Sequence, residues 1–152
     1  MSPRLLYRVL AVAEAITWTL LIAGMLLKYA AGVGDWPVVV AGSVHGFVFI
    51  SYAITAALVG VNQRWRFPVI VLAVVTAIVP YATIPFDLWA DRSGRLDGAW
   101  RTQATDDPRD HTWFGRLFRW MLGHVPVLVG SLAVLAVVIM AGLLLIGPPK
   151  LS

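Results

Sequence analysis

PVVVAGSVHGFVFISYAITAALVGV, residues 37–61, contains no aspartate, glutamate, lysine or arginine, and His45 is its one side chain that titrates near neutral pH. The hydrocarbon core of a bilayer is about 30 Å thick, so a helix rising 1.5 Å per residue needs roughly 20 mostly apolar residues to cross it. This stretch exceeds that length. It opens at Trp36 and Pro37, an interfacial aromatic followed by a proline where the first helical turn tolerates one. It predicts a transmembrane helix.

Working outward, three further segments meet the same test. Residues 9–27 follow Arg4 and Arg8, close at Lys28 and Tyr29, and carry Glu14 as their one interior charge. Residues 67–89 follow Arg64, Trp65 and Arg66 and hold Pro80 and Pro85, which should kink or loosen the helix. Residues 125–146 are free of charge and end at Gly147, Pro148 and Pro149, a helix stop. The fold class expected is therefore an all-α integral membrane bundle of four transmembrane helices. The first segment is too long for the apolar stretch of a signal peptide, which runs to about 15 residues, and it contains a glutamate, so it is expected to be retained.

Composition agrees with a bilayer as the solvent. The 152 residues are 59% hydrophobic and 13% charged with a mean hydropathy of +0.80, whereas soluble domains are about a quarter charged. A chain this long cannot bury that apolar excess by itself, which leaves lipid or a partner protein to cover it. The absence of cysteine excludes disulfides, thiolate metal sites and cysteine nucleophiles. The net charge of +4 reads as anchoring to anionic headgroups rather than nucleic-acid binding, because no basic patch is interleaved with stacking aromatics away from the membrane flanks.

The chain divides into a three-helix membrane region (1–92), a polar linker (93–120), and a fourth helix with its tail (121–152). Aspartates 97, 106, 107 and 110 alternate with Arg95, Arg101 and Arg109 in the linker. Its end sets Trp113, Phe114, Leu117, Phe118 and Met121 at helical spacing beside Arg116 and Arg119. That pattern fits an interfacial amphipathic helix, and equally the early turns of the fourth span. With four crossings, the N-terminus, the 64–66 turn and the C-terminus share one side, while Lys28 and the linker share the other. Raw arginine counts favour the linker side as cytoplasmic; density and lack of acids favour the first, and the reading leans to both termini cytoplasmic.

Ionisable groups inside a membrane are expensive, so Glu14, His45, Tyr81, Lys28 and Asp87 are the candidate functional residues. Counted along straight spans, Glu14 lies about 10 Å below one surface and His45 about 12 Å below the other, so they meet only through a tilt, a water, or a bridge such as Thr17 or Tyr52. Tyr81 falls near the depth of His45 and is its expected partner. Lys28 and Asp87 both fall at the far interface, as an ion pair or as two separately snorkelling side chains. Gly42 and Gly46 form a small-xxx-small pair suited to close helix packing, and His45 beside them reads first as a residue hydrogen-bonded across a tight contact. A lone histidine lacks the further ligands that a metal or haem needs, so no cofactor is expected.

The ordered set Ala13-Glu14-Ala15 through Lys28-Tyr29, Gly42-Ser43-Val44-His45-Gly46 with Phe47, Phe49 and Tyr52, Trp65, Pro80 and Phe86-Asp87 resembles the DUF3817 family over roughly residues 4–92. That resemblance implies a small three-helix protein of the bacterial plasma membrane, in actinobacteria and related Gram-positive bacteria, with no assigned reaction. The linker and the fourth span lie outside it. No phosphate loop, HExxH or GxSxG motif and no close carboxylate pair is present in the spans, so the expected function is non-enzymatic: an accessory subunit of a membrane complex or a self-associating bundle. The alternative is a small proton-coupled transporter or channel using Glu14 and His45, similar in outline to the small multidrug resistance family.

Overall fold

A computed structural model describes residues 1–107 and 111–146, and every regular element among them is helical. In order these are α1 (Pro3–Tyr29), α2 (Trp36–Asn62), α3 (Phe67–Val75), a 3-10 turn (Thr76–Ile78), α4 (Thr83–Arg92), α5 (Trp113–Gly123) and α6 (Val125–Ile146). Arg109, Asp110 and the expected stop at Gly147, Pro148 and Pro149 lie outside the described residues.

Helix α1 starts where the Ser2 hydroxyl accepts from the Leu5 N–H at 3.2 Å and Pro3 takes the first turn. It ends at Ala30, and a short turn through Gly32, at a φ of 66°, returns the chain as α2. α1 and α2 are long and apolar enough to cross a membrane.

The segment expected as a third span folds differently. As α4 proceeds from Thr83 to Asp91, its partners on α1 step backward: Thr83 Oγ1 donates to Ala11 O, Asp87 pairs with Arg8, and Asp91 pairs with Arg8 and Arg4. At the tip, Trp18 Nε1 donates to Ala77 O at 3.1 Å and the Tyr81 hydroxyl lies 3.2 Å from Thr19 Oγ1. Trp65 Nε1 donates to Arg95 O at 2.8 Å, so the segment starts and finishes at the same end of the bundle. Residues 67–92 are thus a helical hairpin that returns to the end of the bundle where it began. Its tip, level with Thr19, stops about 15 Å short of the far end of α1 at Tyr29, ten residues at 1.5 Å each.

The prolines explain the reversal. Val79 precedes Pro80 and is extended at φ −102°, ψ 123°, as steric clash with the proline ring requires. Tyr81 follows in the left-handed region at φ 64°, unusual for a side chain of its size. Pro85 then sits in the first turn of α4, where no N–H donor is needed. The docked hairpin is packed by rings against small residues: Tyr7, Tyr52, Trp65 and Phe86 meet among Ala11, Ala56, Ala73, Ala77 and Ala90.

Thr112 Oγ1 caps α5 by accepting from the Gly115 N–H at 3.0 Å, and the chain then bends by 110° into α6. Leu128 packs with Leu58, and Met140 touches the position of Gly46, so α6 runs antiparallel to α2. Its C-terminal end therefore points toward the α1–α2 turn, whereas four crossings would have returned it beside the N-terminus. Instead of four spanning helices, the described residues hold two of sufficient length, or three if the bent α5–α6 pair counts as one.

The tight helix approaches are at Gly60, where a Cβ would stand 2.6 Å from the Ile70 side chain, and at Gly24, rather than at Gly42 or Gly46. A Cβ on Gly42 would meet only Leu21 Cδ1 at 3.8 Å, and one on Gly46 would meet the flexible Met140 Cε at 3.0 Å. A Cβ on Gly24 would stand 2.9 Å from Pro37 O, a backbone atom that has nowhere to go. Gly24→Ala is therefore expected to destabilise the α1–α2 pair by about 1–3 kcal/mol and Gly42→Ala by less than about 0.5 kcal/mol. Thermal unfolding in detergent checks the contrast, and equal melting of the two variants would refute it.

Candidate functional site

The α1–α2 contact brings together two of the ionisable residues singled out in the sequence. Glu14 and Thr17, three apart, share a face of α1, and His45 faces them from α2. Glu14 is completely buried, and neither of its carboxyl oxygens has a hydrogen-bond partner. His45 Nδ1 stands 3.8 Å from Glu14 Oε2 and 3.2 Å from Thr17 Oγ1. The Thr17 hydroxyl donates to the Glu14 carbonyl at 3.0 Å, which leaves its oxygen as acceptor for a proton on Nδ1. The Trp18 ring covers the imidazole at 4.5 Å between centroids.

An unpaired carboxylate in such surroundings costs several kcal/mol. A neutral acid beside a neutral imidazole and a carboxylate beside an imidazolium both leave the pair with zero net charge, and either avoids an isolated buried charge. Chemically, the pair can keep or pass a proton. No group of three or more His, Asp or Glu residues able to hold a metal occurs among the described residues.

The other candidates lie elsewhere. Tyr81 is at the hairpin tip with Thr19, not beside His45. Lys28 pairs across the α1–α2 turn with Asp35 at 3.0 Å, and Asp87 lies at the opposite end of α1. The expected His45–Tyr81 pairing and the placing of Lys28 and Asp87 at one interface fail for one reason: both count depth along a straight third span, and the hairpin reverses that count.

Two polar clusters fasten the hairpin. Tyr7 and Tyr52 hydroxyls are 2.7 Å apart, and Tyr52 continues to Ala73 O at 3.2 Å and Thr76 Oγ1 at 3.1 Å. At the bundle end, Arg8 Nε donates to Asp87 Oδ2 at 2.9 Å, while Arg8 and Arg4 both donate to Asp91 Oδ2, at 2.8 and 2.7 Å. Arg8 first, then Arg4, holds the Asp91 carboxyl below the usual carboxylate range. Arg4 with Arg8 and Asp87 with Asp91 share the same four-residue spacing, so each pair lies on one helix face. That matched spacing was the available signal for the clasp.

A model of the domain of unknown function DUF3817 matches residues 5–92, the stretch that forms α1 through α4. The chain is also 39% identical over 100 residues to a protein of Streptomyces coelicolor whose name describes it only as a membrane protein. That match takes in 65% of this chain and 11% of the relative, so the chain spans about a ninth of the length of the curated relative it matches. No solved structure matches significantly. The family match over more than half of the chain and the membrane relative agree with the apolar helices and ordered motifs above: this is a membrane protein belonging to the DUF3817 family.

Proposed function

We propose that the chain is a non-enzymatic component of the bacterial plasma membrane, working as an accessory subunit or a self-associating bundle. One observation carries this reading. The polar residues of α1–α4 join the helices to one another, through the arginine–aspartate clasp and the Tyr7–Tyr52–Thr76 bridge, which is the use expected of a structural module. The much longer membrane relative, in which the matching stretch is a small part, supports the same reading. Purification of the full chain in mild detergent or nanodiscs, with its mass measured natively, is expected to show a homo-oligomer or a stoichiometric membrane partner. A lone monomer would overturn the proposal.

A second reading, proton handling, is favoured by Glu14, buried and unpartnered 3.8 Å from His45. On that reading Glu14→Gln abolishes pH-gradient-driven flux in vesicles, because the amide can neither take nor release the proton. Unchanged flux would leave Glu14 as a packing residue.

Orientation follows from where the arginines gather. The nine described arginines all lie at the bundle end that holds the N-terminus, the α2–α3 turn and the linker, while Lys28 lies at the other. The positive-inside rule supports that end as cytoplasmic. With α6 crossing antiparallel to α2, its C-terminal end then faces outward.

A further inference from the structure

At the arginine-rich end, the α2–α3 turn, the linker and α5 enclose a cavity of about 340 Å³. We propose that this cavity seats the phosphate headgroup of an anionic phospholipid. Arg64, Arg101 and Arg119 line it together with Asn62 and Thr112, and among the described residues no carboxylate is in its lining. Guanidinium groups match phosphate oxygens in paired hydrogen bonds, and basic pockets between helices at the cytoplasmic face are suited to acidic headgroups.

The lining is positioned in advance. Arg64 is anchored by Asp107 at 2.8 Å and Thr105 Oγ1 at 3.0 Å. The linker is pinned by its own main chain at Arg101, whose N–H donates to Asn62 Oδ1 at 3.2 Å and whose carbonyl accepts from Asn62 Nδ2 at 3.5 Å. The guanidinium of Arg101 is thus held at the cavity by contacts that do not involve its side chain.

Depth and chemistry both select a lipid. The cavity lies at the ends of α2 and α3, where the apolar run gives way to Asn62 and Arg64. Phe67, 76% exposed, forms part of the wall and opens it to the acyl-chain side. Helix α5 borders it with Gly115 and Phe118 while leaving Trp113, Leu117 and Trp120 exposed, an apolar face flanked by Arg116 and Arg119 that suits a helix lying in the interface. A phosphate in water needs the arginines alone; a phospholipid uses the apolar wall as well.

The test uses the full chain in neutral detergent, titrated with phosphatidylglycerol or phosphatidylcholine and read by native mass spectrometry. Phosphatidylglycerol is expected to be retained preferentially. Arg101→Gln is expected to weaken that retention about tenfold, the loss of one charge-assisted contact, with the melting temperature unchanged. Arg116→Gln, exposed on α5 outside the cavity, is expected to change it much less. Equal retention of both lipids, or equal losses in the two variants, would overturn the proposal by reducing it to diffuse surface charge. Displacement of the lipid by millimolar inorganic phosphate would overturn it in favour of a soluble anion.

Discussion

Single cysteines at Gln63 and Gln103 are expected to react with a membrane-impermeant maleimide from the same side of the membrane, and one at Ala31 only from the other. The chain has no cysteine of its own, so each variant reports one position. In intact cells Ala31→Cys is labelled, while Gln63→Cys and Gln103→Cys are labelled only after permeabilisation. The expectation rests on residues 67–92 leaving and re-entering the same end of the bundle. Gln63 Nε2 reaches Ala99 O at 3.4 Å and Trp65 reaches Arg95 O, joining the approach to the hairpin with its exit. If residues 67–89 crossed the bilayer, Gln103 would share its side with Ala31. Labelling of Gln103→Cys together with Ala31→Cys in intact cells would therefore refute the hairpin, in an all-or-none readout.

That hairpin also marks where hydropathy stops being informative. A window average counts apolar residues and is blind to chain direction, so it treats 67–89 as it treats 37–61. The reversal centres on Pro80 and Pro85, which in the sequence alone predict a kinked or loosened helix and do not by themselves tell a bend from a return. The direction is decided by contacts far apart in sequence, such as Thr83 with Ala11 and Asp87 with Arg8. α1 and α2 were legible because each is a single uninterrupted apolar run. The Glu14–Thr17–His45 group was half legible: its members stood out as polar residues in apolar helices, but depth counting placed them too far apart, with Thr17 only one of several conceivable bridges. Gly24 was invisible because its role depends on Pro37 across the turn, while the Gly42–Gly46 motif reports only that two small residues share a face.

Arg8→Ala is expected to lower stability by about 2–3 kcal/mol, through Asp87 rather than through Arg8 itself. The Asp87 side chain is 5% exposed, its Oδ1 has no hydrogen-bond partner, and Oδ2 relies on Arg8. Removing one partner of a fully buried ion pair costs about 3–5 kcal/mol because a charge is left stranded. Arg8 is 37% exposed, so water offsets part of that loss. At roughly 2–4 °C per kcal/mol for a chain of this size, melting in detergent should fall by about 5–10 °C. Adding Asp87→Asn to Arg8→Ala removes the stranded charge and should recover much of the loss, whereas Lys28→Ala, whose partner Asp35 is largely exposed, should leave melting unchanged. The pH dependence has a definite sign. The Asp91 carboxyl is held below its ordinary value in the folded state, so its contribution is complete above about pH 4 and is lost as pH falls through that lowered value. Acidification should therefore narrow the gap between wild type and Arg8→Ala, since a protonated Asp91 no longer needs an arginine. A gap that stays constant down to acid pH would mean that Arg8 acts through packing of its stem and not through the clasp.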